Sequence, residues 1–527
     1  MKKLLDTGKV TLWVPFAVAI VLAGATVAFA LPYSQVYGFF EVPFLCYYVL
    51  AVLVILGILN GVTAYLWWKK ARGKERTISR LKIQLEKAQE GTSHLQKQLQ
   101  EQRIPFIVGL EHLTKARPEF LPIIQRLFIT VDHIESIEIT PLLGGYGGSI
   151  TFVARIKLED EDQWLPEPFV LKLGVKREMK DEEKKWGRYI ENRFFDAPRA
   201  IKYETSGDYA GVSYTFAGLG GEIQNFHSFC EGRSHTEIEE VIQKLYEKME
   251  VWRKGWARDK KETTDTKNLY DEYYLLHKKC DEIIVGIDKI VDRDDPYRRN
   301  FYAPRDLLIP GLKPQFCEDL PQIDEHWCDP VYFIRTWQRR ELTVPFYKSV
   351  VHGDLRAGNI LVELRHRKVW LIDFSHTGNG LSQERTDEAL REGRPIDPHR
   401  GHVLRDFCRL EADIKFVLTA LENEDDFNKA ISFEKELMAR GLHLDNLTRR
   451  SQRPEVLRDP RFEKAWECIR EIRRFAKEYL CESKELRPYY LSLLHTTLPI
   501  VYYKQCTEWQ KRYALVSAGM LCGLLTS

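Results

Sequence analysis

The sequence has almost no net charge, and its cysteines form no recognisable pattern. Its 78 lysines and arginines are balanced by 76 aspartates and glutamates, which leaves a formal charge of +2 at pH 7. This balance excludes a strongly basic nucleic-acid-binding protein, so no nucleic-acid partner is expected. The ten cysteines are scattered, without a C-x-x-C pair or zinc-type spacing to histidine. We therefore predict neither a zinc site nor a disulfide framework.

Two long uncharged runs occupy residues 11–31 and 43–68, and each is long enough to span a bilayer. Lysines precede the first run, and lysines and arginines follow the second, which places both outer ends in the cytoplasm. The sequence thus predicts a two-span membrane protein with the lipid bilayer as a partner and both termini in the cytoplasm. A cleaved signal peptide is the alternative for the first run, because Ala-Phe-Ala at 28–30 resembles a cleavage site.

Residues 78–103 carry an apolar seam in steps of three and four, over about three heptads. This pattern predicts a coiled coil that joins two copies of the chain into a homodimer. A single amphipathic helix packed on the next domain is the alternative. Residues 104–133 are predicted to form a helical connector to the globular part, with one or two short helices broken near Pro118 and Pro122.

A β-hairpin is predicted within residues 349–378. Two apolar runs, Ile360–Val362 and Val369–Ile372, flank a basic turn at 365–368. Folding of the hairpin brings the residue before the first strand close to the residue after the second.

Polar side chains stand at that shared end of the hairpin. His352, Asp354 and Asn359 precede the first strand, and Asp373 follows the second. Two carboxylates and an amide oxygen form a site suited to Mg²⁺, and one carboxylate is left to act as a base. A metal site and a base in this arrangement are what the transfer of a phosphoryl group requires. The alternative is a hairpin that carries polar residues at its ends by chance and has no metal or catalytic site there.

The segment HGDLRAGN at 352–359, followed by Ile-Asp-Phe at 372–374, resembles the motif of aminoglycoside phosphotransferases and choline kinases. Both groups belong to the protein-kinase-like superfamily. Protein kinases have arginine in place of Gly353 and glycine in place of Ser375, so the small-molecule branch matches better. The resemblance implies an α+β, bilobal fold, with ATP and Mg²⁺ as cofactors and a hydroxyl-bearing small molecule or protein as acceptor.

The resemblance also implies a role for each polar residue of the hairpin. Asp354 is the catalytic base, and His352 braces the catalytic loop. Asn359 and Asp373 hold Mg²⁺. Asp406 corresponds to the aspartate that supports this loop, and the segment 375–378 is similar to phosphotransferase-like domains of bacterial conflict or signalling systems.

A glycine-rich turn is the first feature of the predicted N-lobe, residues 134–220. Gly145, Gly147 and Gly148 lie between two apolar strands, where backbone N–H groups can approach phosphates because no Cβ intervenes. The turn departs from G-x-G-x-x-G, because Ile150 occupies the third glycine position. A plain flexible hairpin is the alternative.

Lys172 lies in the apolar strand 169–173, and a buried lysine needs an anionic partner. The resemblance implies that this lysine contacts the nucleotide phosphates and pairs with a glutamate of the next helix. Glu182 is preferred because it shares a helix face with the aromatic residues four and seven positions later. Glu183 is the alternative.

The remaining residues, 221–527, are predicted as the C-lobe, joined to the N-lobe by a hinge at 217–221. The excess length within 222–335 indicates a helical insertion over the acceptor cleft, or a purely structural elaboration. Residues 379–402 are predicted as a polar loop, and the apolar run 513–525 as a buried terminal helix. This loop contains four acidic residues, Glu384, Asp387, Glu388 and Glu392. They are predicted either to line an acidic acceptor cleft or to be simply solvated.

Together these features predict a membrane-anchored, ATP-dependent phosphotransferase that moves the γ-phosphoryl group to a hydroxyl at the cytoplasmic face. The alternative is a nucleotide-binding pseudokinase scaffold in a membrane signalling or defence system. The sequence leaves the acceptor open among aminoglycosides, choline-like alcohols, sugars, nucleosides and protein hydroxyls.

Overall fold

The chain is described by a computed structural model from residue 106 onward, with gaps. The described ranges are 106–109, 118–128, 134–142, 149–159, 164–165, 167–194, 201–215, 222–256, 264–265, 268–290, 301–302, 327–336, 341–442, 454–481 and 485–526. All of them belong to one unit of the chain, Gln96–Ser527.

The strands within these ranges are β1 Phe106–Val108, β2 Ile134–Pro141, β3 Ile150–Leu158, β4 Phe169–Val175, β5 Ile201–Ser206, β6 Tyr209–Thr215, β7 Ile223–Asn225, β8 Thr264–Asp265, β9 Phe301–Tyr302, β10 Trp327–Cys328, β11 Phe346–Ser349, β12 Ile360–Glu363, β13 Val369–Leu371 and β14 Gly401–His402.

The α-helices are α1 Leu121–Phe128, α2 Lys176–Tyr189, α3 Phe226–Glu231, α4 His235–Trp256, α5 Tyr274–Lys278, α6 Cys280–Asp288, α7 Pro330–Thr336, α8 Gln383–Arg391, α9 Leu404–Asp413, α10 Glu424–Arg440, α11 Pro460–Lys477, α12 Arg487–Thr497 and α13 Glu508–Thr526. Short 3₁₀ turns occupy Pro118–Phe120, Leu269–Tyr273, Ala357–Asn359, Phe374–His376, Glu455–Arg458 and Leu498–Tyr502, and a π-helical turn, Ile414–Leu418, continues α9.

A six-stranded sheet in the order β1-β2-β3-β4-β6-β5 forms the first half of the described chain. The β1–β2 pair is parallel and the other pairs are antiparallel. β4 lies between β3 and β6, and its apolar sequence is accordingly buried. The helix α2 follows β4 directly and packs on β4, β5 and β6. Lys172 in β4 and the buried face of α2 are therefore brought together.

The predicted hairpin is confirmed by β12 and β13, which pair antiparallel with Ile360 opposite Leu371. β7 adds a third strand on the other edge of β12. The turn contains Arg367 at a positive φ of 51°, which a tight connection requires. This register places the residue before β12 next to the residue after β13.

Packed helices form the second half. α12 lies against both α9 and α13, and every residue of α9 is buried. α13 is buried along most of its length, which confirms the predicted terminal helix. The described chain thus combines antiparallel sheets with segregated helices, as the predicted α+β class requires.

Three local predictions differ from the structure. Phe106–Val108 is a strand within the predicted helical connector, and it joins the sheet through β2. Pro122 lies in the first turn of α1, where proline is tolerated, and does not break the helix. The polar loop 379–402 contains α8, whose N-terminus is capped by Ser382 accepting from the Arg385 N–H.

The predicted membrane spans, 11–31 and 43–68, and the predicted dimeric coiled coil, 78–103, lie outside the described residues. Within the part of the chain that the structure covers, no helix combines the length and apolar character needed to cross a bilayer. That finding contradicts the predicted location as a two-span membrane protein with cytoplasmic termini. We correct this prediction, and neither the bilayer nor membrane anchoring enters the function proposed below.

Candidate active site

The loop that begins at His352 is fixed by Asp406 of α9. The backbone N–H groups of His352 and Gly353 donate to Asp406 Oδ2 and Oδ1, each at 2.9 Å. Arg253 also donates to Oδ2 at 3.0 Å, and Asp406 is fully buried. His352 Nε2 lies 3.0 Å from the Ile372 carbonyl, which ties the loop to the end of β13. Asp406 and His352 thus hold the loop between helix and hairpin.

Gly353 is required by the shape of this loop. Its φ is +85°, and a Cβ there would lie 2.6 Å from the His376 carbonyl oxygen. We expect Gly353→Ala to lower the free energy of unfolding by about 3 kcal/mol or more, from backbone strain and overpacking together. Gly207→Ala is the matched control, because Gly207 has a φ of +58° with nothing within 4 Å. It should cost only about 1–2 kcal/mol in urea denaturation, and equal losses in the two variants would contradict the packing argument.

His402 lies in β14. This strand pairs with β11, the strand that leads into the loop at His352. The ring is buried, and Nδ1 lies 2.6 Å from the Tyr273 hydroxyl. Burial, reinforced by the cations Arg405 and Lys348, lowers the pKa of His402 to about 3. In the unfolded chain His402 has an ordinary pKa of about 6.5. Between that pH and about pH 3 the unfolded chain therefore binds a proton at His402 that the folded protein does not bind. Stability is lost as the pH falls below about 6.5.

We expect His402 to account for about 2 kcal/mol of the stability lost between roughly pH 7 and pH 5. Urea denaturation at several pH values should show a shallower pH dependence for His402→Gln than for the wild type. His366→Gln is the control, since the His366 side chain is 61% exposed. An unchanged slope in His402→Gln would show that this ring is not the source of acid sensitivity.

Asp354 is held by two guanidinium groups. Arg409 Nε donates to Oδ1 at 2.8 Å, and Arg356 Nε donates to Oδ2 at 3.0 Å. Asn359 Nδ2 donates to the Asp354 carbonyl at 2.8 Å and to Oδ2 at 3.3 Å. Burial alone would raise the pKa of Asp354, but Arg409 and Arg356 outweigh it and hold the pKa well below the usual range. The carboxylate is therefore ionised and fixed in orientation.

Lys172 bridges two carboxylates. Its Nζ lies 2.6 Å from Glu182 Oε2 and 2.6 Å from Asp373 Oδ1. Burial alone would lower the pKa of Lys172, but Asp373 and Glu182 raise it above its usual range. Glu182 is fully buried and also accepts hydrogen bonds from the Tyr214 hydroxyl and the Phe374 N–H. Glu182, the glutamate that the helical pattern favoured over Glu183, is the one placed against the lysine.

Asn359 and Asp373 lie at the same end of the hairpin, because the Ile372 N–H donates to the Asn359 carbonyl at 3.1 Å. The Asn359 amide nitrogen points to Asp354, and its oxygen has no hydrogen-bond partner in the described ranges. Asp373 accepts from Ser375 Oγ at 2.7 Å and from Lys172 through the same oxygen, Oδ1. The second oxygen of Asp373 and the amide oxygen of Asn359 therefore remain as hard donors.

This donor set fits Mg²⁺. The described part of the chain contains no group of three or more His, Cys, Asp and Glu side chains arranged as a protein-only metal cage. Mg²⁺ does not need one, because it is commonly held by one or two carboxylates together with substrate phosphates and water.

An open cleft of about 900 Å³ brings the site together. Its lining includes Lys172, Asp354 and Asp373, together with Ser149, which directly follows the glycine-rich turn. His352 and Glu182 do not line the cleft but hold the residues that do. Asn359 is buried directly beside Asp354, with its amide nitrogen on Asp354 and its amide oxygen left for a metal ion. The predicted phosphate-binding glycines, Gly145, Gly147 and Gly148, lie outside the described residues, as does the predicted hinge at 217–221.

Sequence reasoning missed Arg409 and Arg356, the two cations on Asp354. Arg409 had a usable signal, because Asp406, Arg409 and Asp413 are spaced by three and four residues along one helix. Asp413 accepts from the Ala357 N–H at 2.8 Å, so the whole helix face is turned toward the loop. Arg356 lies inside the motif itself, two residues after Asp354.

Comparisons with known proteins find only distant likenesses. No protein-family model and no curated protein matches the chain. Among solved structures, the apo form of a thermostable mutant of the aminoglycoside phosphotransferase APH(4)-Ia is 12% identical, with 76% of this chain and 97% of that chain covered and a TM-score of 0.32. A ternary complex of such a mutant with ADP and hygromycin B is 11% identical, with coverage of 73% and 99% and a TM-score of 0.31.

A third similar structure is an aminoglycoside-3'-phosphotransferase of type VIII. It is 12% identical, covering 68% of this chain and 100% of that chain, with a TM-score of 0.31. Because these values are low, we argue the function from the geometry of the site itself.

Proposed function

We propose that this chain is an ATP-dependent phosphotransferase of protein-kinase-like fold that moves the γ-phosphoryl group to a hydroxyl acceptor. The observation that carries the proposal is the position of Lys172, 2.6 Å from both Glu182 and Asp373, in the same cleft as the ionised Asp354. A fixed cation for phosphates, a metal-binding carboxylate and an ionised carboxylate that can act as a base are the parts that phosphoryl transfer needs.

The nucleotide side of the cleft is served by Lys172. Glu182 holds this lysine in place, and Lys172 orients the phosphates through its ammonium group. When MgATP is bound, Asn359 and Asp373 hold the Mg²⁺, which neutralises charge on the phosphate oxygens. Backbone N–H groups of Gly145, Gly147 and Gly148 are predicted to cover the phosphates.

The acceptor side is served by Asp354. Its carboxylate accepts a hydrogen bond from the acceptor hydroxyl and takes up the proton as the reaction proceeds. A bond forms between the acceptor oxygen and the γ-phosphorus, the bond to the bridging β–γ oxygen breaks, and ADP leaves with that electron pair. His352 and Asp406 hold the loop that positions Asp354. Positioning and charge neutralisation supply most of the rate gain.

A nucleotide-binding scaffold without transfer is the second candidate, and one observation favours it. Both carboxylate oxygens of Asp354 are engaged by guanidinium groups, Oδ1 by Arg409 and Oδ2 by Arg356. To act as a base, Asp354 must give up or share its hydrogen bond to Arg409 or Arg356 when the acceptor hydroxyl binds. A scaffold that does not transfer the phosphoryl group has no such requirement.

Transfer of label from [γ-³²P]ATP distinguishes the two candidates. The purified chain is incubated with Mg²⁺, labelled ATP and a deproteinised pool of cellular small molecules, and Asp354→Asn is run in parallel. We expect labelled organic product with the wild type and almost none with the variant. Tight MgATP binding with no labelled product from the wild type would favour the scaffold, and equal product from both proteins would remove Asp354 from its role.

A further inference from the structure

The cleft carries a cluster of positive charge of which the phosphotransferase proposal uses only Arg409, as a partner of Asp354. We call it the basic wall, and its residues are Lys279, Arg405, Arg409 and Lys504, all of which line the cleft. Tyr502 and Tyr503 line the cleft as well. Lys279 Nζ lies 3.4 Å from the Tyr502 hydroxyl, and the Arg409 guanidinium lies 5.8 Å from the centroid of the Tyr503 ring. These residues come from α9, from the start of α6 and from the segment before α13, so the wall forms only when the helices pack together.

Three of these cations act on the ring of His495. His495 lines the cleft from α12. Burial, followed by the charges of Arg405, Lys279 and Arg409, lowers the pKa of His495 well below its usual value. Arg405 and Arg409 of α9 and Lys279 at the start of α6 therefore act on one ring.

The charges of the basic wall are only partly compensated. Arg405 donates to the backbone carbonyls of Gly380 and Glu272, which carry no net charge. Lys279 donates to the Tyr502 hydroxyl at 3.4 Å. Lys504 is exposed and forms no ion pair within the described ranges.

Arg409 provides a second, independent sign of a missing ligand. Its side chain is only 9% exposed, and Nε is used by Asp354. Its Nη1 is buried and has no hydrogen-bond partner in the part of the chain that the structure describes. A buried guanidinium donor without an acceptor is costly, and an anionic ligand would satisfy it.

Three of the four acidic residues that the sequence suggested for binding a cationic acceptor are paired with basic side chains. Glu388 and Glu392 of α8 both pair with Lys278, at 2.8 and 2.5 Å. Glu384 lines the cleft but pairs with Arg177 at 2.7 Å. The other acidic lining residues outside the Asp354–Asp373 pair are Glu178 and Asp181, which belong to α2 and to none of the elements that form the basic wall.

We propose that the acceptor is an anionic hydroxyl compound, a sugar or polyol that carries a phosphate or carboxylate group. The anionic group binds the basic wall and the free Nη1 of Arg409, a sugar ring lies against Tyr502 and Tyr503, and the hydroxyl faces Asp354. This inference rests on the phosphotransferase function proposed above. A polycationic amino sugar is disfavoured, because it would meet Lys279 and Lys504 with like charge.

The charge of the acceptor is tested by separating a deproteinised metabolite pool into anionic, neutral and cationic fractions by ion exchange. Each fraction is offered to the purified chain with Mg²⁺ and [γ-³²P]ATP. We expect labelled product from the anionic fraction. Product from the neutral or cationic fraction alone would overturn the inference, while leaving the phosphotransferase function intact.

Charge reversal in the basic wall gives the residue-level test. Lys279→Glu and Lys504→Glu are each expected to raise the KM for the anionic fraction about tenfold or more, with a smaller effect on kcat and none on the KM for ATP. Lys289→Glu is the matched control, because Lys289 is an exposed lysine beyond the other end of α6 and does not line the cleft. An equal response to Lys289→Glu and Lys279→Glu would contradict a role for the basic wall.

If no fraction yields a labelled product, a binding measurement still tests whether the cleft prefers an anionic ligand. With AMP-PNP and Mg²⁺ saturating the nucleotide site, glucose 6-phosphate, gluconate and glucosamine are titrated by calorimetry. We expect saturable binding of at least one anion, lost in Lys504→Glu, and no binding of glucosamine. Binding without transfer would defeat only the phosphotransferase function, whereas binding of glucosamine alone, or of none of the three, would overturn the inference of an anionic ligand.

Discussion

Asp354→Asn is expected to lower kcat for phosphoryl transfer by about 10²–10⁴-fold, the range that a positioned base contributes. Asparagine has nearly the same shape but cannot accept the proton of the acceptor hydroxyl. Its amide also cannot accept charge-assisted hydrogen bonds through both terminal atoms, so Arg409 and Arg356 lose part of their shared partner. Initial rates of ADP formation with saturating ATP, measured in the presence of the acceptor fraction, give the comparison.

Two controls make the Asp354 result specific. MgATP affinity, measured by calorimetry, should change by no more than about threefold, because Lys172 and Asp373 bind the nucleotide side. Asp425→Asn serves as a matched substitution, since Asp425 is 76% exposed and, among the described residues, forms an ion pair only with Lys429 on α10. A fall in kcat that is matched by Asp425→Asn, or that vanishes when MgATP affinity is taken into account, would contradict the role of Asp354.

Lys172→Met is expected to have two large effects at once. Removing the ammonium leaves the fully buried Glu182 and the largely buried, cleft-lining Asp373 without their shared cation. This loss should lower the free energy of unfolding by about 3–5 kcal/mol. The same change removes the cation that holds the phosphates, so MgATP affinity should fall by about 30-fold or more. Urea denaturation and calorimetry measure the two effects separately.

The double variant Lys172→Met/Glu182→Gln separates stability from nucleotide binding. Replacing Glu182 with a neutral amide removes one uncompensated charge, so part of the lost stability should return. Nucleotide affinity should not return, because the cation is still missing. Recovery of both properties would mean that Lys172 acts only as a structural ion pair, and recovery of neither would contradict the charge argument.

The parts of the site that depend on neighbouring residues could be predicted from the sequence. The hairpin places Asn359 and Asp373 together because two short apolar strands joined by a turn have little other way to pair. Glu182 could be chosen over Glu183 because a helix buries one face, and the aromatic residue Trp186 marks that face.

The parts that depend on distant segments could not be predicted. Arg409 reaches Asp354 from α9, and Lys279 and Lys504 meet beside it only after the terminal helices pack. For Lys279 and Lys504 no local pattern encodes these contacts. For Arg409, the spacing from Asp406 to Asp413 marks one helix face but does not show that this face meets Asp354. The strand β1 was missed for the same reason, since its apolar side chains fit a short helix equally well until β2 is present.

Predictions based on hydrophobic pattern alone had a mixed outcome. The terminal run around 513–525 forms a buried helix, as its length indicated. The prediction of a two-span membrane protein is contradicted by the absence of any spanning helix in the described ranges. An apolar run records only that a segment avoids water, and it does not identify what covers it.

The most direct measurement of the central claim is the fate of the γ-phosphoryl group of ATP labelled with ¹⁸O at its γ-phosphate oxygens. The purified chain, Mg²⁺ and the labelled ATP are incubated with the acceptor fraction, and all products are analysed by mass spectrometry. We predict an organic phosphate ester that carries the intact labelled phosphoryl group, formed by the wild type and strongly reduced in Asp354→Asn. Label found only in inorganic phosphate, or retained entirely in ATP, would contradict transfer to a hydroxyl acceptor.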